Sequence, residues 1–185
     1  MRTGPGRAIG SADSGAREIS KPLAELILGE CIMKLLGQGL HWDEIKVGDQ
    51  FKTFGRTITE ADIVNFINCT GFLEVLFTDA EFRAEHSAIA GRVVPAALVY
   101  SVAEGMLMVG LIQGVGLAFL NMELDVKGPV VAGDTVHVEV TVTEVRPTSK
   151  GRGLVRTRNE IKNQRGETVI VYTPLRLVKG SKPAA

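Results

Sequence analysis

The chain has 185 residues, 45% of them hydrophobic and 23% charged, the composition of one soluble globular domain with room for a substantial core. Lys plus Arg balance Asp plus Glu at 21 each, which excludes both a basic footprint for nucleic acid and an acidic tail. Cys31 and Cys69 are too few for a disulfide framework, and no CxxC or HExxH spacing offers a metal site, so no metal or other cofactor is expected.

Residues 1–20 are rich in Gly, Ser, Ala and Arg without a hydrophobic period and read as a flexible arm. They hold no apolar segment of signal-peptide length, and the protein is expected in the cytoplasm. Residues 21–40 predict an N-terminal helix opening at Pro22 behind Ser20, with Gly37 and Gly39 ending it. A main domain spans 41–180 and a tail 181–185.

Within that domain, 50–57 predicts a first strand. Thr59 with Asp62 has capping-box spacing for a helix over 60–69, closed by Gly71. The hexapeptide 72–77, FLEVLF, fits neither period. Thr78 with Glu81 repeats the capping-box pattern for a surface helix over 79–85. Residues 93–113, VVPAALVYSVAEGMLMVGLIQ, then form a helix apolar on every side whose one charge is Glu104. Such a helix has to be wrapped rather than laid on a surface. Glu104, Ser101 and the strand-like sequence that follows argue against a membrane span.

Four strands follow, at 117–127, 135–145, 154–162 and 168–178. In the second, Val136, Val138, Val140 and Val142 alternate with His137, Glu139, Thr141 and Thr143. Asn163 to Gly166 reads as a hairpin turn between the last two. Helices followed by a run of strands predict an α+β domain in which an antiparallel sheet curls around the long helix.

The local sequence resembles the MaoC-like hydratase/dehydratase family from Trp42 to Val178. The resemblance is carried by Trp42-Asp43-Glu44-Ile45, Val47-Gly48-Asp49, Ile58-Thr59-Glu60-Ala61-Asp62-Ile63, Thr70-Gly71, Asp79-Ala80-Glu81-Phe82, Gly91-Arg92-Val93-Val94 and Gly128-Pro129-Val130-Val131-Ala132-Gly133-Asp134-Thr135. It implies a hot-dog fold and an acyl-CoA or acyl-carrier thioester as substrate, hydrated or dehydrated by an Asp and a His. It also implies an amide at the start of the long helix that polarises the thioester carbonyl. Hot-dog pockets lie between two subunits, so a double hot-dog homodimer is expected.

Aligned without gaps between Gly71 and Asp79, however, the family's Asp falls on Phe72 and its His on Phe77, and neither can move a proton. The family's His-Gly at the helix start falls on Pro95-Ala96. Glu104 is then the leading candidate for acid–base work, since an unpaired buried carboxylate has its pKa raised. Glu74, between the two phenylalanines, is the second. Against these stand a structural glutamate at 104 and a solvated one at 74. Ala96 is the expected oxyanion donor, with Pro95, Gly91 and Arg92 beside it; Arg92 also suits a CoA phosphate. Phe72 and Phe77 are candidate linings of an acyl pocket. His41, His86 and His137 are given packing or surface roles. The leading expectation is an enoyl hydratase or 3-hydroxyacyl dehydratase with atypical acid–base residues; the alternatives are a thioesterase working through Glu104 and a non-catalytic thioester-binding or heterodimer-partner protein.

Overall fold

The computed structural model describes residues 35–182, and the helix expected at 21–40 lies outside the described residues up to position 34. Positions 35–40 are not helical. Leu40 and Gly39 donate through their backbone to Leu111 and Gln113, at 3.0 and 2.8 Å.

A single 3-10 turn, Trp42–Glu44, opens the domain. Trp42 lies on Gly153 so closely that an added Cβ there would sit 2.3 Å from the ring, and its Nε1 donates to Gly151 O at 3.1 Å. The first strand is broken: β1 (Gln50–Lys52) and β2 (Arg56–Thr57) both pair with β5 (Thr135–Pro147) but are separated at Thr53. The Thr53 hydroxyl accepts from the Val138 amide at 2.9 Å, so a side chain replaces a ladder bond across the break.

The remaining strands are β3 (Gly116–Asn121), β4 (Leu124–Val126), β6 (Arg152–Lys162), β7 (Thr168–Tyr172) and β8 (Leu175–Lys179). The stretches expected as single strands at 117–127 and 168–178 are thus each divided. Pro174, which cannot donate to a ladder, stands between β7 and β8. Every pairing is antiparallel: β5 pairs with β6, β6 gives one half to β7 and the other to β8, and those pair with β4 and β3.

Four helices precede or cross this sheet: α1 (Glu60–Thr70), α2 (Val75–Thr78), α3 (Ala80–His86) and α4 (Ala96–Leu107). α4 continues as a π-helical turn, Met108–Ile112. The apolar stretch at 93–113 therefore starts its helix three residues late, because Val93 and Val94 pair as extended chain with Val131 and Val130. Leu98, Val99, Val102, Ala103 and Leu107 of α4 are buried against the inward Val136, Val138 and Val140 of β5, with Ile161 and Ile170. Each buried Val, Leu or Ile among them is worth roughly 1.5–3 kcal/mol. A curled antiparallel sheet wrapped around one long helix is the hot-dog arrangement that the sequence leads one to expect.

Candidate functional site at the start of the long helix

The helical segment before α4 is held by caps. Thr59 and Asp62 form the predicted capping box, with the Thr59 amide donating to Asp62 Oδ2 at 2.8 Å. Gly71 ends α1 at φ 66, a left-handed conformation that glycine adopts without strain. The hexapeptide 72–77 resolves as the lead-in and single turn of α2. Its cap is Glu74, whose Oε2 accepts from the Leu76 amide at 2.9 Å. α3 is capped one residue later than the Thr78–Glu81 pattern suggests. Asp79 Oδ1 accepts from Glu81 and Phe82 at 2.9 and 3.0 Å, and the negative carboxylate is favoured at this end of a helix.

Phe72 and Phe77 form an aromatic row with Phe66, with centroids 5.8 Å apart for Phe66–Phe72 and 5.4 Å for Phe72–Phe77. Phe77 also packs on the main core, whereas Phe72 is exposed. At the two positions onto which the resemblance would bring an acid and a base, the chain thus presents apolar rings.

Arg92 is a clamp. Its Nη1 donates to Phe77 O at 2.6 Å, tying the chain before α4 to the end of α2. Its Nε stands 2.9 Å from Glu60 Oε1, a charge contact that is off the angle for a hydrogen bond. Gly91 beside it is exposed, and Pro95 is buried as the N-cap residue of α4. Proline offers no capping side chain, and among the described residues neither the Ala96 nor the Ala97 amide has an acceptor. Two N–H groups without acceptors, on exposed residues at the positive end of a helix dipole, are suited to polarising a carbonyl oxygen.

Glu104 stands eight residues into this helix region and is not the unpaired carboxylate expected. Its Oε1 accepts from the Tyr172 hydroxyl at 2.8 Å and its Oε2 from Arg176 Nη2 at 2.5 Å, with both charged side chains largely buried. Burial above all, then the Glu104 charge, pushes the Tyr172 phenol far above its ordinary pKa; the same two causes raise Tyr100. The two rings meet edge to face at 5.2 Å. Glu74 is exposed and spent as a cap.

None of the three histidines joins this constellation: His41 caps the 3-10 turn with Glu44, His86 packs on Phe82 at 4.5 Å, and His137 pairs with Glu139 along β5. Tyr172 and Arg176 are the groups that sequence reading missed. Their signal was an arginine on the face of β8 that also carries the buried Val178.

An apolar cleft of about 460 Å3 opens along the far half of the helix region, between Phe51, Phe54, Met106, Val109 and Leu111. Among the described residues no helix is long and apolar enough to cross a membrane.

The fold agrees with that of similar proteins. Protein MaoC of Klebsiella aerogenes is 36% identical over 102 residues, which are 55% of this chain and 30% of that protein; the chain thus spans less than a third of that relative. A monoamine oxidase regulatory protein from Archaeoglobus fulgidus superposes with a TM-score of 0.70 at 28% identity, covering 78% of this chain and 97% of the other. A MaoC-like dehydratase from Rhodospirillum rubrum gives 0.68 at 26%, covering 78% and 99%. The family model described as "FAS1-like, dehydratase domain region" matches residues 46–171, and the chain belongs to that family, among the MaoC-like hydratases and dehydratases.

Proposed function

We propose that this chain binds acyl-CoA or acyl-carrier thioesters at the start of α4 and serves as the non-catalytic half of a hydratase/dehydratase pair. In that pair a related hot-dog subunit supplies the acid and the base. The observation that carries the reading is a contrast in chemistry. Among the described residues the Ala96 and Ala97 amides have no acceptor, while Phe72 and Phe77 carry no proton-moving group and both oxygens of Glu104 are engaged by Tyr172 and Arg176. A site that can bind and polarise but cannot transfer protons suits a binding partner. Phe72 and Phe77 would line the acyl pocket, and the apolar cleft along the helix offers further room for a chain.

The test is crotonyl-CoA hydration and acyl-CoA hydrolysis by the isolated chain, alongside direct binding of the same thioesters. Binding without either turnover is expected; hydration at an enzymatic rate would sink the reading. The second reading is a self-contained hydratase, or a thioesterase, in which Glu104 acts with Glu74. What favours it is the placement of Glu104 on the same helix as the free amides. It requires Arg176 to release the carboxylate, and Glu104→Gln would then abolish turnover in a folded protein.

A further inference from the structure

The helix α3 and the segment after it enclose a polar cleft of about 410 Å3. Arg83, Ser87, Gly91 and Arg92 line it over small side chains such as Ala80 and Ala84, and no carboxylate is among the lining residues. The two arginines differ in how they are used. Arg92 is partly neutralised by Glu60 and already spends one N–H on Phe77 O. Arg83 makes no ion pair among the described residues, and its Nη1 is buried without a hydrogen-bond partner. A guanidinium N–H withdrawn from water with nothing to accept it is costly, and an oxygen acceptor entering the cleft beside Arg83 would relieve that cost.

We infer that this cleft binds the phosphate of the substrate's pantetheine arm, with Arg83 as its principal ligand. A phosphate offers several acceptor oxygens to one planar fork and suits a polar cleft without competing carboxylates. The position fits as well. Arg92 precedes Ala96 by four residues, a separation of at most about 14 Å along extended chain. A pantetheine arm is longer than that, so a thioester carbonyl on the Ala96 amide leaves its phosphate within reach of the cleft. Gly91 keeps the rim free of a side chain. The inference rests on the thioester reading above and adds to it the group by which the carrier is held. Coenzyme A and an acyl-carrier protein share that phosphopantetheine, so the chemistry is common to both.

The experiment measures, on the full chain, the affinities of octanoyl-pantetheine, octanoyl-4′-phosphopantetheine, octanoyl-CoA and an octanoyl-carrier protein. The phosphate is expected to strengthen binding on the order of tenfold or more over octanoyl-pantetheine. Arg83→Gln removes that advantage and Arg83→Lys keeps part of it, while octanoyl-pantetheine binds both variants like the wild type. A carrier protein binding more tightly than the bare arm identifies it as the source; octanoyl-CoA binding more tightly identifies coenzyme A. Equal wild-type affinity with and without phosphate overturns the proposal and leaves the thioester reading standing. So does a loss of octanoyl-pantetheine binding in Arg83→Lys, which would mark Arg83 as a folding residue. If no octanoyl ligand binds yet pyrophosphate is still held through Arg83, the thioester reading falls and the phosphate site remains.

Discussion

Arg176 on β8 closes on Glu104 of the long helix at 2.5 Å, and the same guanidinium lies 5.2 Å from the ring centre of Phe119 on the edge strand. One arginine thus joins the helix, the sheet and the sheet's outer edge. With 7% and 13% of the two charged side chains exposed, the pair is withdrawn from water. Removing one partner strands the other charge, which in comparable sites costs roughly 3–5 kcal/mol.

Glu104→Gln is therefore expected to lower stability by about 3 kcal/mol, part of the loss being offset because Tyr172 keeps an acceptor. Adding Arg176→Met to that variant should recover most of it. Urea unfolding of the two single variants and the double variant closes the cycle. A Glu104→Gln protein as stable as wild type would remove the structural role assigned to the pair.

The two phenylalanines at the vacated catalytic positions should separate under substitution. Phe77 packs on the core, so Phe77→Ala is expected to cost about 3 kcal/mol, near the lower end for a buried phenylalanine. Phe72 is exposed and loses mainly its aromatic contacts, about 1 kcal/mol, yet its removal should weaken thioester binding by more than Phe77→Leu does. Paired denaturation and binding measurements check both. Equal stability losses would contradict the burial difference, and unchanged thioester affinity in Phe72→Ala would take Phe72 out of the pocket.

What could be read from the chain follows its periods. Alternating Val136 to Val142 fixes which face of β5 looks inward, whereas the helix expected to be wrapped on every side buries only the stripe Leu98, Val99, Val102, Ala103 and Leu107 and leaves Ala97, Ser101 and Gly105 exposed. Thr59, Asp62 and Gly71 mark their own ends because capping is local. The state of Glu104 was illegible because its partners lie 68 and 72 residues away. They are also separated from each other by Pro174, which interrupts the strand's alternation and hides that Tyr172 and Arg176 face the same helix. The Ala96 amide was expected from the resemblance alone; that the Ala97 amide shares its lack of an acceptor among the described residues follows from the proline at the cap position and went unread.

Acid sensitivity has a defined sign here. A carboxyl held below its ordinary pKa contributes stability that is complete above its unfolded value and drains as the pH falls toward the folded one. The hydrogen bond from Lys162 chiefly, then that of His137, pulls Glu139 from 4.5 to about 2. Its side chain is 38% exposed, so solvent screens the effect and its share is small. Burial works to raise Asp134, but the Val131 amide, Gln164 and Arg165 outweigh it and hold the carboxyl below its ordinary range. Asp134 is buried, so Asp134→Asn should flatten the loss of stability below pH 4 more than Glu139→Gln flattens it between pH 4.5 and 2. Urea midpoints in steps across that range give the comparison, and a steeper acid limb in either variant would reverse the sign argued here.

The edge formed by β3 and β4 bears on assembly. β3 pairs with β8 and β4 with β7, which leaves the other side of each strand without a partner among the described residues. Leu117, Phe119, Leu120, Leu124 and Val126 along it are 36 to 54% exposed, an apolar edge of the kind that natural sheets cover. A second hot-dog subunit seated there would bury those side chains and continue the sheet. It would also enclose Phe119, and with it the Arg176 guanidinium that holds Glu104. In the absence of its catalytic partner a second copy of the chain is expected to take that seat, so the isolated chain should run at twice its monomer mass in light scattering at micromolar concentration. Leu117→Lys with Leu120→Lys should shift it to the monomer and weaken thioester binding together, because charges placed in an apolar seam are desolvated without partners. Val64→Lys, at an exposed apolar position on α1, should leave the mass unchanged. A wild-type chain that is monomeric under those conditions, or a double-lysine variant that still pairs, would exclude this edge as the seam.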